Sequence, residues 1–215
     1  MRKLDRAAVA APPCLGRYKH GQDNWNAVDH SERQQIRDAL ERMQGRRCAY
    51  CEGPLDELGQ HIEHFRSRDR HSTLTFAWTN LYWSCDRHDS CGRYKDHDAR
   101  PYVPDDLIDP CFDDPDRFFR FHSDGTIAVR HDLPAADRRR AVETLRVFNL
   151  DPGHGRLRSM RQRVAEAYQA VEMGILDALI DCSEAERREF IEDEIARTAD
   201  QPFSTVIRHF FETVL

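Results

Sequence analysis

The spacing of apolar residues predicts helices near both ends of the chain and a loop-rich stretch between them. Ile36, Leu40 and Met43 recur at helical spacing after residues 31–34, whose sequence SERQ has the form of a capping box. The first helix is therefore expected to span about residues 32–44 and to stop at the glycine that follows. The 28 residues before this helix contain prolines and glycines without clear periodicity and are predicted to form an extended arm.

In the second half of the chain, apolar residues recur first with the period of a strand and then with that of a helix. Residues 117–130 are predicted to form a β-hairpin that turns at Gly125, because aromatic and aliphatic residues alternate on both sides of it. Apolar stripes then predict helices over residues 141–148 and 157–175, and the SEAE sequence at 183–186 is a second capping box. The last stripe carries Phe203, Ile207, Phe210, Phe211 and Val214. We interpret these stripes as core, with a partner-docking face on the last helix as the alternative.

Together these patterns predict an α+β fold in three segments. Residues 1–45 are the N-terminal arm and helix, and residues 46–100 hold most of the cysteines and histidines in short elements. Residues 101–215 add the hairpin and a mostly helical C-terminal region, which we predict to dock a partner.

Composition and charge narrow the class of protein. Hydrophobic residues make up 40% of the 215 positions and charged residues 33%, which is polar but sufficient for a folded core. No apolar run approaches the roughly 18 residues of a membrane span, and no secretory signal is visible, so we expect a cytoplasmic protein without a membrane partner. The net charge of −6 is unevenly distributed: residues 1–100 hold 17 Lys and Arg against 15 Asp and Glu, and residues 101–215 hold 15 against 23. Seven of the eleven histidines also lie in residues 1–100, so the chemistry is expected there.

Four of the seven cysteines form two short-spaced pairs, Cys48 with Cys51 and Cys85 with Cys91. Two such pairs bring four thiolates together with few loop residues to order, which suits tetrahedral zinc. An odd number of cysteines in a chain without a visible export signal also favours metal and free thiols over disulfides. We therefore predict a structural Zn²⁺ bound by these four cysteines. Because the second pair is wider, His88 is an alternative to Cys85 or Cys91, and buried thiols or a redox pair would be the metal-free alternative.

A histidine motif lies between the two cysteine pairs. Residues 60–65 (QHIEHF) are predicted to form a short strand with His61 and Glu63 on one face, and residues 91–97 a short helix. A carboxylate beside a histidine, followed by Asn80 and a polar helix, is typical of metal-dependent nucleases. Hydrolysis of a phosphodiester needs a base that deprotonates water near neutral pH, which suits histidine, and a divalent cation that stabilises developing charge. Glu63 and Asp96 are hard oxygen ligands that suit Mg²⁺ or Mn²⁺, and Asn80 is expected to orient an imidazole by a hydrogen bond.

These motifs resemble a known family. The order CAYC, HIEH, WTNL and SCDRHDSCGRYKD is similar to that of HNH (ββα-metal) endonucleases with a structural zinc. The segments PPCLGRY, CAYCEG, HIEHFRSR, CGRYKD and FFRFHSDGTI resemble more narrowly the PtuB-type HNH endonucleases of Septu and retron anti-phage systems. The resemblance covers about residues 1–165 and implies a zinc-stapled ββα-metal module.

The resemblance implies a role for several residues. His64 matches the general base, Glu63 the acidic metal ligand beside it, and Asn80 the central asparagine. Family members often have His or Asn directly after the last zinc cysteine, where this chain has Gly92. Asp96, one helical turn later, is expected to supply the second ligand to Mg²⁺ or Mn²⁺, with His97 or His88 as substitutes.

Positive charge near the motif suggests contacts with nucleic acid. Arg93 and Lys95 on the predicted site helix are the favoured contacts with the phosphate backbone, and His61 is a third candidate. Arg156, Arg158, Arg161 and Arg163 either extend this surface or solvate a helix. The resemblance further implies a PtuA-type ATPase as a partner, and a retron reverse transcriptase with its RNA–DNA product as another.

The sequence therefore predicts a metal-dependent HNH endonuclease that hydrolyses phosphodiester bonds of DNA as the effector of an anti-phage defence complex. An RNA-cutting nuclease, acting for instance on tRNA, is a variant of this interpretation. One alternative is a zinc-stabilised module that binds nucleic acid without cutting it, which Gly92 favours. The other is a subunit whose zinc module only scaffolds a partner.

Overall fold

The computed structural model describes residues 1–179 and 182–212, and for residues 169–179 it describes only the backbone. This part of the chain is α+β, with seven α-helices and two small antiparallel sheets. The helices are α1 (His30–Gln44), α2 (Leu55–Leu58), α3 (Cys91–His97), α4 (Ala135–Val147), α5 (Arg156–Leu179), α6 (Glu184–Thr198) and α7 (Ser204–Phe211). The strands are β1 (His61–His64), β2 (Leu81–Ser84), β3 (Phe119–Phe121) and β4 (Ile127–Val129). Within the described residues, every helix is too short or too polar to span a lipid bilayer.

Helix α1 begins two residues earlier than its apolar spacing suggested, because a different capping box starts it. The Asp29 carboxylate accepts a hydrogen bond of 2.9 Å from the backbone N–H of Glu32, and the Glu32 carboxylate accepts one of 3.2 Å from Asp29. The prediction of a capping box at residues 31–34 was therefore wrong. The helix ends as expected at Gly45, whose φ of +65° closes it in the left-handed conformation.

The N-terminal segment is not the extended arm that its prolines suggested. It forms two 3₁₀ turns, Pro13–Arg17 and Trp25–Ala27, and buries Cys14, Leu15 and Trp25 in the hydrophobic core. Apolar residues on both sides of the two adjacent prolines give this segment enough surface to bury, and aromatic pairing fixes its path. Tyr18, for example, stacks on Phe76 with ring centroids 4.5 Å apart.

Strands β1 and β2 form an antiparallel hairpin that α3 follows directly. The register pairs His61 with Ser84 and His64 with Leu81. Helix α1 covers the outer side of β2, where the Gln44 side chain exchanges two hydrogen bonds of 2.9 Å with the Trp83 backbone. The Gln44 amide thus satisfies a backbone N–H and C=O that an edge strand would leave without partners. The strand and the short helix that the sequence predicted are both confirmed.

The C-terminal half packs on this module. Strands β3 and β4 form the predicted hairpin, and the second capping box is confirmed at Ser183 and Glu186. One hydrophobic cluster includes residues from all three segments, and Phe203, Ile207 and Phe211 of the last stripe are buried. These three residues are therefore core rather than an exposed docking face. Val171 and Ile175 of the long stripe, and Val214, lie outside the residues whose side chains are described.

The arginines of α5 join the segments of the fold. Arg161 is 1% exposed, and its guanidinium donates to the backbone oxygens of Gly125 at 2.7 Å and Leu150 at 2.9 Å. Arg156 pairs with Asp89, and Arg158 pairs with Asp124. The proposed extension of a nucleic-acid surface along these residues does not fit, since Arg161 is buried and the other two are paired within the chain. Arg163 is exposed.

Candidate active site

Four buried thiols lie at the base of the β1–β2 hairpin. The Sγ atoms of Cys48, Cys51, Cys85 and Cys91 all lie within 4.8 Å of one another. Four thiolates around tetrahedral zinc have sulfur atoms about 3.8 Å apart, so these residues fit the ion closely. They are the only group of three or more potential metal-ligating residues that the described part of the chain brings together. His88 is exposed and outside this group, so the structure supports the predicted four-cysteine site rather than the alternative with His88.

The backbone conformation around the cysteines brings the four thiols close together. In the first pair, Cys48 N–H donates to Gly53 O at 3.0 Å and Glu52 N–H to Cys48 O at 3.0 Å, which closes a tight knuckle. In the second pair, Cys91 opens α3 at a φ of +59° and donates its N–H to Phe148 O at 2.7 Å. The cluster therefore joins the knuckle, the end of β2 and the start of α3.

Gly92 lets α3 approach the carboxylate of Glu63. Its N–H donates to Ser84 Oγ at 3.1 Å, and a Cβ at this position would lie 2.4 Å from Glu63 Oε2 and 2.6 Å from Glu63 Cδ. Any larger side chain would have to displace the carboxylate. The departure from the family pattern at Gly92 therefore has a steric cause in this chain, which is the inward position of Glu63.

Glu63 lies in a buried network of charges. Lys95 Nζ is 2.9 Å from Glu63 Oε1, and His61 Nε2 is 3.1 Å from Glu63 Oε2. Burial raises the pKa of the Glu63 carboxyl, but the charges of Lys95 and His61 outweigh burial and lower that pKa to about 2. Glu63 is therefore ionised at all physiological pH values.

Lys95 belongs to this network rather than to an external surface. Its side chain has no exposed area, and its ammonium also contacts Asp96 and donates to His64 O at 3.1 Å. Burial lowers the pKa of Lys95, and the two carboxylates overcome this and raise it. The prediction that Lys95 contacts nucleic acid is wrong, because a cation enclosed by its own chain cannot reach a phosphate backbone.

The other two predicted nucleic-acid contacts share a carboxylate at the mouth of the site. Arg93 Nε lies 2.6 Å from Asp86 Oδ1, and His61 Nδ1 lies 3.4 Å from the same oxygen. Both side chains are partly exposed, but each already has an acidic partner. Their availability for phosphate is thus lower than the sequence suggested.

His64 is held as a neutral imidazole. It is 5% exposed, and Nε2 lies 2.9 Å from Thr75 O, which as a carbonyl only accepts, so Nε2 carries the proton. The Trp25 ring meets the imidazole edge to face, with centroids 4.6 Å apart. Burial lowers the pKa of His64 to about 4, against the opposing charge of Glu63. Nδ1 is therefore left as an unprotonated acceptor at neutral pH.

Asn80 does not contact the imidazole, contrary to expectation. Its Oδ1 accepts from Arg66 N–H at 2.7 Å, and its Nδ2 donates to Arg66 O and Leu74 O, both at 3.1 Å. These bonds close the loop between β1 and β2, and that loop includes Thr75. Asn80 thus acts on His64 through the loop, because it fixes the position of the carbonyl that orients the ring.

The His64 cavity has a volume of about 510 Å³ and opens beside this network. Glu63, His64, Arg93, Asp96 and His97 all line it. Asp96 does not contact Glu63, since Lys95 lies between the two carboxylates. Glu63 is 2% exposed, and its carboxylate oxygens, which are hard donors, are both paired with cationic side chains of the chain itself.

Two residues that form part of the site, Thr75 and Trp25, were not identified from the sequence. Thr75 acts through its backbone carbonyl, which leaves no side-chain signal. Trp25 lies in the segment predicted as an extended arm, where a tryptophan could have indicated burial.

Loss of one zinc thiolate is expected to unfold the site. Cys48→Ser should abolish stoichiometric zinc binding, measured by elemental analysis, and lower the thermal midpoint, because the thiolates hold the module together. Cys111→Ser is the matched control, since Cys111 lies outside the cluster. A Cys48→Ser protein with full zinc content and unchanged stability would contradict the assignment.

Substitution of Gly92 tests the contact with Glu63. Gly92→Ala should lower the free energy of unfolding by about 2 kcal/mol, because the added methyl group overlaps the buried carboxylate. Gly16→Ala is the control, since a Cβ there meets nothing within 4 Å. Equal stability of the two variants in urea denaturation would show that Glu63 does not pack against Gly92.

Two curated proteins are similar to the chain. The Septu protein PtuB of Bacillus thuringiensis is 35% identical over 82 residues, which are 37% of this chain and 30% of that protein. The Septu protein PtuB of Bacillus mycoides is 25% identical over 174 residues, which are 67% of this chain and 55% of that protein. The matches thus span about a third and about half of the relatives' lengths. No protein-family model matches the chain.

Both similarities agree with the motifs that suggested PtuB from the sequence. The cysteine knuckle, the HIEH strand and the α3 sequence CGRYKD had carried that resemblance. The comparisons confirm it, and the chain is a relative of the PtuB-type Septu proteins.

Proposed function

We propose that the chain is a metal-dependent HNH endonuclease that hydrolyses phosphodiester bonds of DNA. The observation that carries the proposal is the state of His64. The imidazole is neutral, its tautomer is fixed by Thr75 O, and it lines a polar cavity beside an ionised carboxylate. A neutral histidine with one free ring nitrogen is what a general base requires.

The order of elements supports the HNH assignment. A two-stranded hairpin is followed by a short helix, and four cysteines staple the hairpin to that helix. The histidine lies at the end of β1, and its neighbouring carboxylate faces α3. This arrangement is the ββα order that the sequence motifs suggest.

Glu63 and Asp96 are the residues that would hold a catalytic Mg²⁺ or Mn²⁺. Such a cation would stabilise the negative charge that develops on the phosphate and on the leaving oxygen. Mg²⁺ is usually held by one or two carboxylates together with water and substrate phosphate, so two protein ligands suffice. Glu63 is ionised, and both it and Asp96 line the His64 cavity, which fits this role.

The chain's own residues would perform the proton transfer. His64 accepts a proton from the attacking water at Nδ1, while Thr75 O and Trp25 keep the ring from rotating. The positive charge that the ring gains is stabilised by Glu63, whose charge already raises the pKa of His64 against burial. General-base catalysis of this kind contributes about 10²- to 10⁴-fold to the rate.

Both similar proteins are named as Septu proteins, and the sequence resemblance adds a partner ATPase of the PtuA type. We infer from these two sources that the chain is the effector nuclease of an anti-phage defence complex. In a retron setting, the reverse transcriptase with its RNA–DNA product would be a further partner. The net −8 of residues 101–215 is consistent with contacts to proteins rather than with wrapping by DNA.

One observation favours a second candidate, a catalytically silent module that binds nucleic acid. The Lys95 ammonium lies between Glu63 and Asp96, so a protein cation already neutralises both carboxylates that were assigned to the metal. In a nuclease, one of these carboxylates would have to bind the divalent ion while the Lys95 ammonium stays next to it. A silent module has no such requirement.

A cleavage assay separates these candidates. His64→Ala should reduce cleavage of plasmid DNA at least about 100-fold with Mg²⁺ or Mn²⁺, because the base is lost, and should leave zinc content unchanged. His71→Ala is the matched control, since His71 lies on the same loop but outside the His64 cavity. RNA is assayed in parallel, and a PtuA-type partner is included.

Cleavage by wild type and His71→Ala, but not by His64→Ala or in EDTA, is the expected result. Cleavage by His64→Ala at the wild-type rate would remove His64 from the mechanism. If all three proteins bind DNA and none cuts it, the silent module becomes the better interpretation.

A further inference from the structure

The walls of the His64 cavity carry more positive charge than the sequence motifs indicated. Helix α1 contributes Arg33 and Arg37, the loop after β1 contributes Arg68, and α3 contributes Arg93. Glu63 and Asp96 lie in the same cavity, next to the Lys95 ammonium. The arginines therefore surround a region where the carboxylates are already neutralised from within.

Two of the four arginines have structural partners. Arg33 donates to Val28 O at 2.9 Å and to Trp25 O at 3.2 Å, and its guanidinium lies 5.5 Å from the Trp25 ring centroid. Arg93 is paired with Asp86. These contacts position Trp25 and α3, so neither guanidinium is fully available to a ligand.

Arg37 and Arg68 differ from them, since neither side chain forms a hydrogen bond or an ion pair with any described residue. Arg37 is half-buried, and its Nε is a buried donor without an acceptor. A buried N–H without a partner is unfavourable, and a ligand oxygen would relieve it. Asp69 also lines the cavity but pairs with neither arginine.

The two free guanidiniums lie on different walls, one on α1 and one on the loop that holds Thr75. Because both arginines line the same cavity as His64, a ligand that satisfies both must carry negatively charged oxygens at more than one point. A phosphodiester backbone has this chemistry, and Arg is the side chain best suited to bind phosphate oxygens.

We infer that Arg37 and Arg68, which both line the His64 cavity, bind the nucleic-acid backbone. Helix α1 is thus part of the substrate-binding surface, although it lies outside the histidine and cysteine motifs. The inference rests on the proposed function, because it takes a nucleic acid as the ligand. Arg37 and Arg68 thus take the place of Lys95, and partly of Arg93, as the residues that contact phosphate.

The test is a binding titration of the full-length chain with a fluorescein-labelled DNA duplex, without added divalent cation so that no cutting occurs. Arg37→Ala and Arg68→Ala should each weaken binding about tenfold and lower the salt slope by about one. Arg42→Ala on α1 and Arg70→Ala on the loop are the matched controls, since both are exposed and lie outside the cavity. The controls remove the same charge and should stay close to the wild-type affinity.

Arg37→Lys guards against a folding defect, since it keeps the charge and should restore part of the affinity. Equal affinity of all the alanine variants, or no binding by the wild-type chain, would overturn the inference. Loss of binding in the two cavity variants alone would support it even if the wild-type protein cuts nothing. Failure of the nuclease proposal and failure of this inference are therefore distinguishable.

Discussion

The convergence of four buried thiols is the constraint on which the rest of the site depends. The cysteine cluster joins the first knuckle to the end of β2 and to the first residue of α3, so it fixes how the helix lies against the hairpin. A region with so few and such short elements buries little apolar surface of its own, and metal binding supplies folding free energy directly. Once α3 is fixed, Gly92 and Lys95 both face Glu63.

The buried charges then determine the protonation states of the site. Glu63 is ionised because Lys95 and His61 outweigh its desolvation, and His64 beside it is neutral because burial dominates. Both groups are thus deprotonated at neutral pH, the carboxylate charged and the imidazole neutral, so the first can hold a cation while the second accepts a proton. A buried ion pair adds little net stability by itself, but loss of Lys95 would leave a charged carboxylate without compensation.

The spacing of cysteines and apolar residues in the sequence was sufficient to predict several local elements of the fold. The two cysteine pairs, the HIEH strand, the short helix at residues 91–97 and the hairpin near Gly125 are all present as predicted. The remainder depended on tertiary contacts that leave no local pattern. Lys95 has the sequence appearance of a surface cation, Thr75 contributes only a backbone oxygen, and Asn80 bonds a loop instead of an imidazole. The prolines of the N-terminal segment likewise concealed that Trp25 packs on His64.

The central claim is that the His64 cavity receives a phosphodiester beside a neutral imidazole. A crystal structure of the zinc-loaded chain with a phosphorothioate oligonucleotide and Mg²⁺ tests it most directly. The account predicts a phosphate in the cavity, a water within about 2.6–3.2 Å of His64 Nδ1, and Thr75 O still bonded to Nε2. An oligonucleotide bound elsewhere on the chain, with His64 facing no phosphate, would contradict it.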